Sequence, residues 1–161
     1  MLENKIKKLG ALKSILEKLK KQGKKIVFTN GCFDILHYGH AKYLEGAKII
    51  GDILVVAINS DASVKKIKGP LRPMVNQKDR IRLIAALESV DYTLLFDAET
   101  PLELIKTLRP DVLAKGGDWE KSRIVGADFV RSYGGRVTTV KLVPRRSTTS
   151  MISKIAKINS S

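Results

Sequence analysis

Residues 25–40 read KIVFTNGCFDILHYGH. Lys25 to Asn30 form a short run rich in branched and aromatic residues that ends in polar residues and glycine, and this pattern predicts a strand. The next ten residues contain both histidines of the chain, His37 and His40. A helical pattern follows from His40 to Ile50. A strand, a polar loop and a helix in this order are typical of the first unit of an α/β fold.

Apolar runs alternate with helical patterns along the rest of the chain. Further strands are predicted at residues 52–58, 92–96, 112–114 and 136–142, and further helices at 76–89, 101–108, 127–133 and 148–158. A first helix is predicted where apolar residues recur at positions 12, 15, 16 and 19. Thr100, followed by Pro101 and Glu103, predicts a capped helix start, and Gly134 predicts a left-handed helix end. This alternation predicts a parallel five-stranded sheet with helices on both faces.

The composition is that of an ordinary globular protein. Of the 161 residues, 43% are hydrophobic and 29% are charged. We therefore expect one domain spanning 1–161, with residues 1–23 forming a basic amphipathic helix packed on it. No apolar run approaches the ~18–20 residues of a membrane span and no signal-peptide pattern is seen, so a cytoplasmic location without a membrane partner is expected. The single cysteine, Cys32, excludes an intramolecular disulfide and a Cys-rich zinc site.

Positive charge is concentrated at the two ends of the chain. The formal net charge is +14. Residues 1–25 hold nine basic and two acidic side chains, and residues 141–161 hold five basic and no acidic ones. A basic nucleic-acid-binding protein is the non-enzyme alternative that this charge supports. The nearly neutral central region and only 6% aromatic residues argue against it, so no specific nucleic-acid partner is expected.

The segments that follow the predicted strands are the place to look for chemistry, because parallel sheets bind ligands at the carboxyl ends of their strands. These segments are residues 30–40, 59–73, 97–100, 115–123 and 144–149. Neither a G-x-G-x-x-G nor a P-loop pattern is present. Two imidazoles three residues apart at the start of a helix suit a phosphate whose charge grows during reaction. A buried or capping histidine pair and a zinc site are the alternatives, although one cysteine and two histidines are too few for four zinc ligands.

The motifs of this chain resemble those of a known family. His37-Tyr38-Gly39-His40 resembles the H-x-G-H signature of the nucleotidyltransferase superfamily that includes the cytidylyltransferases. Other stretches are similar to the heptose 1-phosphate adenylyltransferases, namely residues 59–65, 68–70, 72–73, 86–91, 115–119 and 147–149. The resemblance extends over residues 24–157. It implies a Rossmann-like, doubly wound nucleotidyltransferase fold.

The resemblance also implies a reaction. In it, the phosphate of D-glycero-D-manno-heptose 1-phosphate attacks the α-phosphorus of ATP in line, giving ADP-heptose for lipopolysaccharide or surface-glycan synthesis and releasing pyrophosphate. Such chemistry needs positioning and charge stabilisation and no protein nucleophile. Mg²⁺ is expected with the triphosphate and without protein ligands. A homodimer is expected, as is a separate heptose kinase that acts upstream.

The same resemblance implies roles for individual residues. His37, His40 and Lys68 are expected to be catalytic. The residues expected to bind the nucleotide are Thr29, Asn30, Gly31, Phe33, His37, His40, Gly116, Asp118, Ser147, Thr148 and Thr149. The residues expected to bind the acceptor substrate are Asp34, Lys68, Arg72, Arg80, Lys115 and Trp119. Ordering of the active-site loop is the alternative for Asp34 and Arg80, helix capping is a compatible second role for residues 147–149, and Lys42 is either a phosphate ligand or a solvated lysine.

The last motif departs from the cytidylyltransferase pattern. Arg145 and Arg146 follow Pro144 and precede Ser147 where those enzymes carry R-T-x-G-I-S, and Lys154 stands where many members have arginine. These differences favour the adenylyltransferase branch over enzymes that use CTP. A glycerol 3-phosphate cytidylyltransferase and an FAD synthetase are the alternative activities.

Overall fold

The sheet of this protein has five strands, all parallel. A computed structural model describes residues 1–120 and 123–159. The strands are Ile26–Gly31 (β1), Ile53–Asn59 (β2), Tyr92–Phe96 (β3), Val112–Gly116 (β4) and Arg136–Val140 (β5). They lie in the order β3-β2-β1-β4-β5, with parallel pairing throughout. The predicted α/β fold with a doubly wound parallel sheet is confirmed.

The helices follow the predicted order with one addition. They are Leu9–Lys21 (α1), Tyr38–Lys48 (α2), Asp61–Lys68 (α3), Gln77–Ala85 (α4), Leu102–Leu108 (α5), Ala127–Ser132 (α6) and Thr148–Asn159 (α7), and a 3-10 turn spans Leu2–Lys5. Sequence analysis missed α3, because residues 59–73 were treated as one connecting segment. The signal was present: Ser60 caps this helix by accepting a hydrogen bond from the Ser63 amide. Lys121 and Ser122, in the segment after the fourth strand, lie outside the described residues.

The predicted capping motif at the start of α5 is wrong. The helix begins at Leu102 with Pro101 as its N-cap, and no side chain makes a capping hydrogen bond there. Glu103 instead accepts a hydrogen bond from Lys106, one turn further along the helix. This leaves Thr100 on the loop before the helix. The left-handed residue after α6 is confirmed, since Gly134 has a φ of 84°.

Side chains alternate between two apolar layers, one on each face of the sheet. Ile26 and Phe28 of β1 pack with α1, α5 and α6, whereas Val27 packs on the opposite face with α2 and α4. This period of two follows from the pleat of the strand. Both faces of the sheet are covered by helices. A ligand is therefore expected to bind at the carboxyl ends of the strands.

The amino-terminal segment packs on the rest of the molecule through α1. Leu12 is 0% and Leu16 is 1% exposed, and both belong to the core layer that also contains α5 and α6. The Lys20 ammonium donates to the carbonyl oxygens of Leu108 and Arg109 at the end of α5. None of the helices in the described part of the chain is long and apolar enough to cross a membrane.

Replacing Leu16 by alanine is expected to lower the free energy of unfolding by about 2–5 kcal/mol, because a fully buried side chain leaves a cavity between α1 and the sheet. Chemical denaturation of the whole chain measures this. Lys18→Ala is the matched control on the exposed side of the same helix, and its effect should stay within about 0.5 kcal/mol. Equal effects of the two substitutions would show that α1 is not part of the core.

Candidate active site

A cavity of about 580 Å³ lies at the carboxyl ends of the strands. Its lining comes from the segments that follow all five strands, as the fold predicts. The expected site residues that line it are Asn30, Gly31, Phe33, Asp34, His37, His40, Lys68, Arg72, Lys115, Gly116, Asp118, Trp119, Ser147, Thr148 and Thr149. Thr29 and Arg80 are not among the described residues that line it. The tertiary structure therefore brings together side chains from positions 30 to 149.

His37 and His40 form a stacked pair at the start of α2. His37 is the N-cap residue, and the two ring centroids are 3.8 Å apart with an interplanar angle of 19°. Gly39 makes this arrangement possible. A Cβ at position 39 would lie 2.9 Å from the His37 ring and 3.0 Å from Cβ of Arg146, so any side chain there would clash. The glycine of the H-x-G-H motif thus lets the segment before α7 approach the start of α2.

The surroundings of both imidazoles favour their neutral forms. Burial lowers the pKa of His40 to about 4, with a further contribution from His37 that the Asp34 carboxylate only partly opposes. Burial and the Arg146 guanidinium also lower the pKa of His37. The Nδ1 atoms of both rings are buried and have no hydrogen-bond partner in the described part of the chain. The pair is therefore neutral at pH 7, and an anionic ligand would stabilise its protonated form.

The start of α7 faces the same cavity. Ser147 accepts a hydrogen bond from the Ser150 amide through its hydroxyl, so it caps the helix. Ser147, Thr148 and Thr149 line the cavity together with Arg146. The first-turn amides of a helix have no partner within the helix, and with the hydroxyls they form a site suited to phosphate. Capping and anion binding occur at the same residues without conflict.

Asp34 holds the segment that carries Arg72. Its carboxylate accepts hydrogen bonds from the amides of Met74 and Val75 and from Nε of Arg72, the last at 2.6 Å. Burial of Asp34 opposes ionisation, but these donors outweigh it and hold the pKa of the carboxyl below its usual value. With a side chain only 1% exposed, Asp34 orders the loop. The same bond orients the Arg72 side chain at the cavity wall.

Arg80 also holds this loop through hydrogen bonds to its backbone. Its guanidinium is fully buried and donates to the carbonyl oxygens of Cys32 and Val75 and to the carboxylate of Asp61. Of these three partners only Cys32 lines the cavity, and Arg80 fixes its backbone. Of the two roles expected for Arg80, the structure places it in the position for ordering the loop. Thr29 is likewise buried, and its hydroxyl is 2.7 Å from that of Tyr43.

Lys115 connects the ends of β1 and β4. Its ammonium donates to the backbone carbonyl and the side-chain oxygen of Asn30, and it lies 5.5 Å from the centre of the Trp119 ring. Burial lowers the pKa of Lys115 to about 8, against the opposing effects of Cys32 and Asp118. Trp119 is 47% exposed at the cavity mouth. The KGGDW segment thus places a cation, a carboxylate and an aromatic ring beside the loop that carries the histidines.

The remaining lysines differ in what surrounds them. Lys68, at the end of α3, lines the cavity and makes no hydrogen bond or ion pair with the described residues. Lys42 is exposed on α2 and donates to Glu45 at 3.0 Å, and it does not line the cavity. Lys68 is therefore available to a ligand, whereas Lys42 has the environment of a solvated helix lysine.

Several cavity residues were not found by sequence analysis. They are Tyr43, Asn59, Ile67, Glu99, Thr100, Pro101, Val125, Leu142, Val143 and Arg146, with Cys32 and Gly39 between the motif residues. Glu99 and Thr100 belong to the segment 97–100, which was predicted to lie at the end of a strand, but neither was singled out there. The apolar residues had no usable signal, because their periodicity is that of core positions.

No group of three histidine, cysteine or carboxylate side chains within residues 1–120 and 123–159 could hold a metal ion.

Comparison with known proteins agrees with this geometry. Residues 28–159 match the cytidylyltransferase-like family. The chain is 52% identical over 153 residues to the bifunctional protein HldE of Syntrophotalea carbinolica, and 55% identical over 153 residues to that of Geobacter metallireducens. In both cases the match covers 95% of this chain and 31% of the relative. The chain thus spans less than a third of the length of these curated relatives.

Two solved structures share the fold. The lipopolysaccharide core biosynthesis protein from Thermoplasma volcanium matches with a TM-score of 0.62 and 29% identity, covering 75% of this chain and 98% of that one. Pantoate-beta-alanine ligase from Francisella tularensis matches with a TM-score of 0.59 over 89% of this chain and 68% of that one, and at 16% identity this likeness concerns the fold alone. The family match covers most of the chain and includes the histidine pair. The chain therefore belongs to the cytidylyltransferase-like family of nucleotidyltransferases.

Proposed function

We propose that this protein is an adenylyltransferase that converts ATP and D-glycero-D-manno-heptose 1-phosphate to ADP-heptose and pyrophosphate. The observation that carries the proposal is the stacked pair of His37 and His40, which shares one cavity with the start of α7 and with Lys68. The similarity to HldE proteins and to a lipopolysaccharide core biosynthesis protein supports the sugar phosphate as acceptor. The departures in the last motif support ATP as donor.

The reaction is an in-line displacement at the α-phosphorus. The acceptor phosphate oxygen forms the new bond to phosphorus while the bond to the pyrophosphate oxygen breaks, so charge grows on the leaving group. His37 and His40 stabilise that charge, and the hydroxyls and amides of residues 147–149 hold the β- and γ-phosphates. No residue has to act as a nucleophile.

The acceptor phosphate enters from the side where Lys68 and Arg72 lie. In an in-line reaction the attacking and leaving oxygens are on opposite sides of the phosphorus. Lys68 follows β2, whereas Ser147 follows β5 across the sheet. Lys68 approaches both phosphates and reduces their repulsion, and Arg72 is oriented for the acceptor by Asp34. Lys115, Gly116, Asp118 and Trp119 contact the nucleoside and the adjoining substrate.

Mg²⁺ enters as the metal of the ATP substrate and neutralises triphosphate charge. The proposal also includes an assembly of two copies, a cytoplasmic location, and a kinase reaction that supplies the anomeric phosphate of the acceptor. The family membership and the cavity that Lys68 and the histidine pair line support a small phosphorylated acceptor over a nucleic acid.

Pyrophosphate release tests the reaction directly. ATP, CTP and GTP are each combined with heptose 1-phosphate, glycerol 3-phosphate and FMN in the presence of Mg²⁺. Release is expected only with ATP and heptose 1-phosphate. His37→Ala and His40→Ala are each expected to lower kcat about 100-fold or more, the loss typical of a donor that stabilises transition-state charge. Tyr38→Phe is the control and should keep full activity, because Tyr38 stands between the two histidines in the sequence but its side chain is exposed.

Another productive pair of substrates would retain the reaction type and replace the proposed substrates. Release that neither histidine substitution reduces would contradict the mechanism. If no pair reacts and the chain instead binds duplex or single-stranded nucleic acid with a steep dependence on salt, the enzyme proposal is wrong.

ATP binding is expected to take up protons. The pKa of His40 is about 4 in the free protein and that of His37 is also lowered, so both are neutral at pH 7. A triphosphate beside them favours the charged forms and raises both pKa values. The affinity for ATP should therefore rise as the pH falls from 7 toward 5. Calorimetric titrations in buffers of different ionisation enthalpy measure the uptake, and the double alanine variant corrects for protonation of ATP itself. Equal uptake by wild type and variant would contradict this expectation.

Asp34→Asn separates a loop-ordering role from a ligand contact. The amide cannot replace a carboxylate that accepts from Arg72 and from the amides of Ile35, Met74 and Val75. The free energy of unfolding should therefore fall by about 1.5–3 kcal/mol, and kcat should fall with it. Asp128→Asn, which alters a carboxylate 99% exposed on α6, is the control. Unchanged stability together with a higher KM for the acceptor alone would instead show that Asp34 contacts the substrate.

A further inference from the structure

Glu99 is a cavity residue that the proposed mechanism does not use. It lies on the loop between β3 and α5 and lines the same cavity as Lys68 and the histidines. Its side chain is exposed and forms no hydrogen bond or ion pair with any residue that the structure describes. The carboxylate is therefore free to meet a ligand.

The backbone on both sides of Glu99 is held in place. The carbonyl oxygen of Ala98 accepts a hydrogen bond from the Ser63 hydroxyl at 2.8 Å. Pro101, two residues after Glu99, is buried at the start of α5. Ser63 belongs to α3, the helix that ends at Lys68. The same helix therefore sets the positions of Lys68 and of the loop that carries Glu99.

Glu99 differs from the other carboxylates at this cavity. The described lining contains three of them, Asp34, Glu99 and Asp118. Asp34 accepts hydrogen bonds from Arg72 and three backbone amides, and Asp118 lies near the Lys115 ammonium. A free carboxylate would repel a phosphate, so Glu99 has to face an uncharged part of a ligand that donates hydrogen bonds.

The in-line geometry of the reaction indicates which substrate Glu99 contacts. β3 and β5 are the two edges of the sheet, four strand spacings or about 19 Å apart. The triphosphate site at residues 147–149 follows β5, so the pyrophosphate leaves toward that edge. An in-line acceptor then approaches from the β2 and β3 side. Glu99 follows β3, the edge strand on that side of the sheet, so it belongs to the side from which the acceptor comes.

We propose that Glu99 is a specificity-determining residue that accepts hydrogen bonds from hydroxyl groups of the acceptor sugar while Lys68 and Arg72 hold its phosphate. A carboxylate has two oxygens and accepts from two adjacent hydroxyls. This selects polyhydroxylated phosphates over phosphates attached to an aromatic or apolar group. The inference rests on the proposed adenylyl transfer to a sugar phosphate.

Glu99→Gln tests the contact with little change in shape. Loss of a charged acceptor should raise the KM for heptose 1-phosphate about 10- to 100-fold, while the KM for ATP changes less than about twofold. Glu103→Gln, four residues away on the exposed side of α5, is the matched control and should leave both values unchanged. Thermal unfolding of the two variants checks that they fold alike.

Deoxy acceptors distinguish a contact between Glu99 and the sugar from a structural role of Glu99, because a structural role would not change the discrimination between the deoxy and parent sugars. Wild type should discriminate strongly against sugar 1-phosphates that lack the contacted hydroxyl, and Glu99→Gln should accept the deoxy and parent sugars with nearly equal kcat/KM. An unchanged KM for the parent sugar, an equal rise in the KM for ATP, or the same discrimination in both proteins would each overturn the inference.

The behaviour of wild type tests the proposed function, and the comparison of Glu99→Gln with wild type tests the role of Glu99. If wild type transfers adenylate to no sugar phosphate, the proposed function is wrong, and the role of Glu99 in sugar selection falls with it. If wild type is active and Glu99→Gln behaves as wild type, the proposed function stands and only the inference about Glu99 is wrong.

Discussion

The active-site crevice depends on the reversal of strand order at β1. The chain moves outward from β1 through β2 to β3 and then returns to place β4 on the other side of β1. Helices α2 and α4 cover one face of the sheet and α1, α5 and α6 cover the other. The loops after β1 and β4 therefore diverge, and a ligand can enter between them. Lys115 spans this opening through its hydrogen bonds to Asn30.

The basic side chains in this crevice favour the binding of anions. Some of them are paired with carboxylates of the protein and others have no such partner. Arg72 and Arg80 are fixed by carboxylates of the protein, so they order the loop before any ligand arrives. Lys68 has no protein partner in the described residues. Burial favours the neutral form of both imidazoles, together with the Arg146 guanidinium at His37 and with His37 at His40. Neutral imidazoles avoid the cost of burying unpaired charge in the free protein. They remain able to gain protons when a triphosphate supplies the compensating charge.

Local patterns were sufficient to predict the strands, most helices and the motif segments of the site. β1 has the apolar run of a buried strand, and the glycine of the H-x-G-H motif has a steric reason that the structure shows at Gly39. The failures were local as well. The capping propensity of Thr100 led to the prediction of a capped start for α5. In the structure Thr100 lines the cavity and does not cap the helix. α3 was missed because residues 59–73 were treated as one connecting segment, although the capping residue Ser60 was a local signal for it.

The amino-acid sequence by itself determined the alternation of strands and helices, the parallel sheet and the histidine motif, because these depend on residue type and on spacing along the chain. Only the tertiary structure decided which of the predicted site residues line the cavity and which hold the surrounding loop in place. Asp34 holds the loop by its bond to Arg72, 38 residues away in the chain, and Arg80 holds it by its bond to Cys32, 48 residues away. Glu99 lines the cavity on a loop whose residue Ala98 is held by the Ser63 hydroxyl of α3. Contacts between distant segments form only when the sheet has assembled, so no local pattern records them.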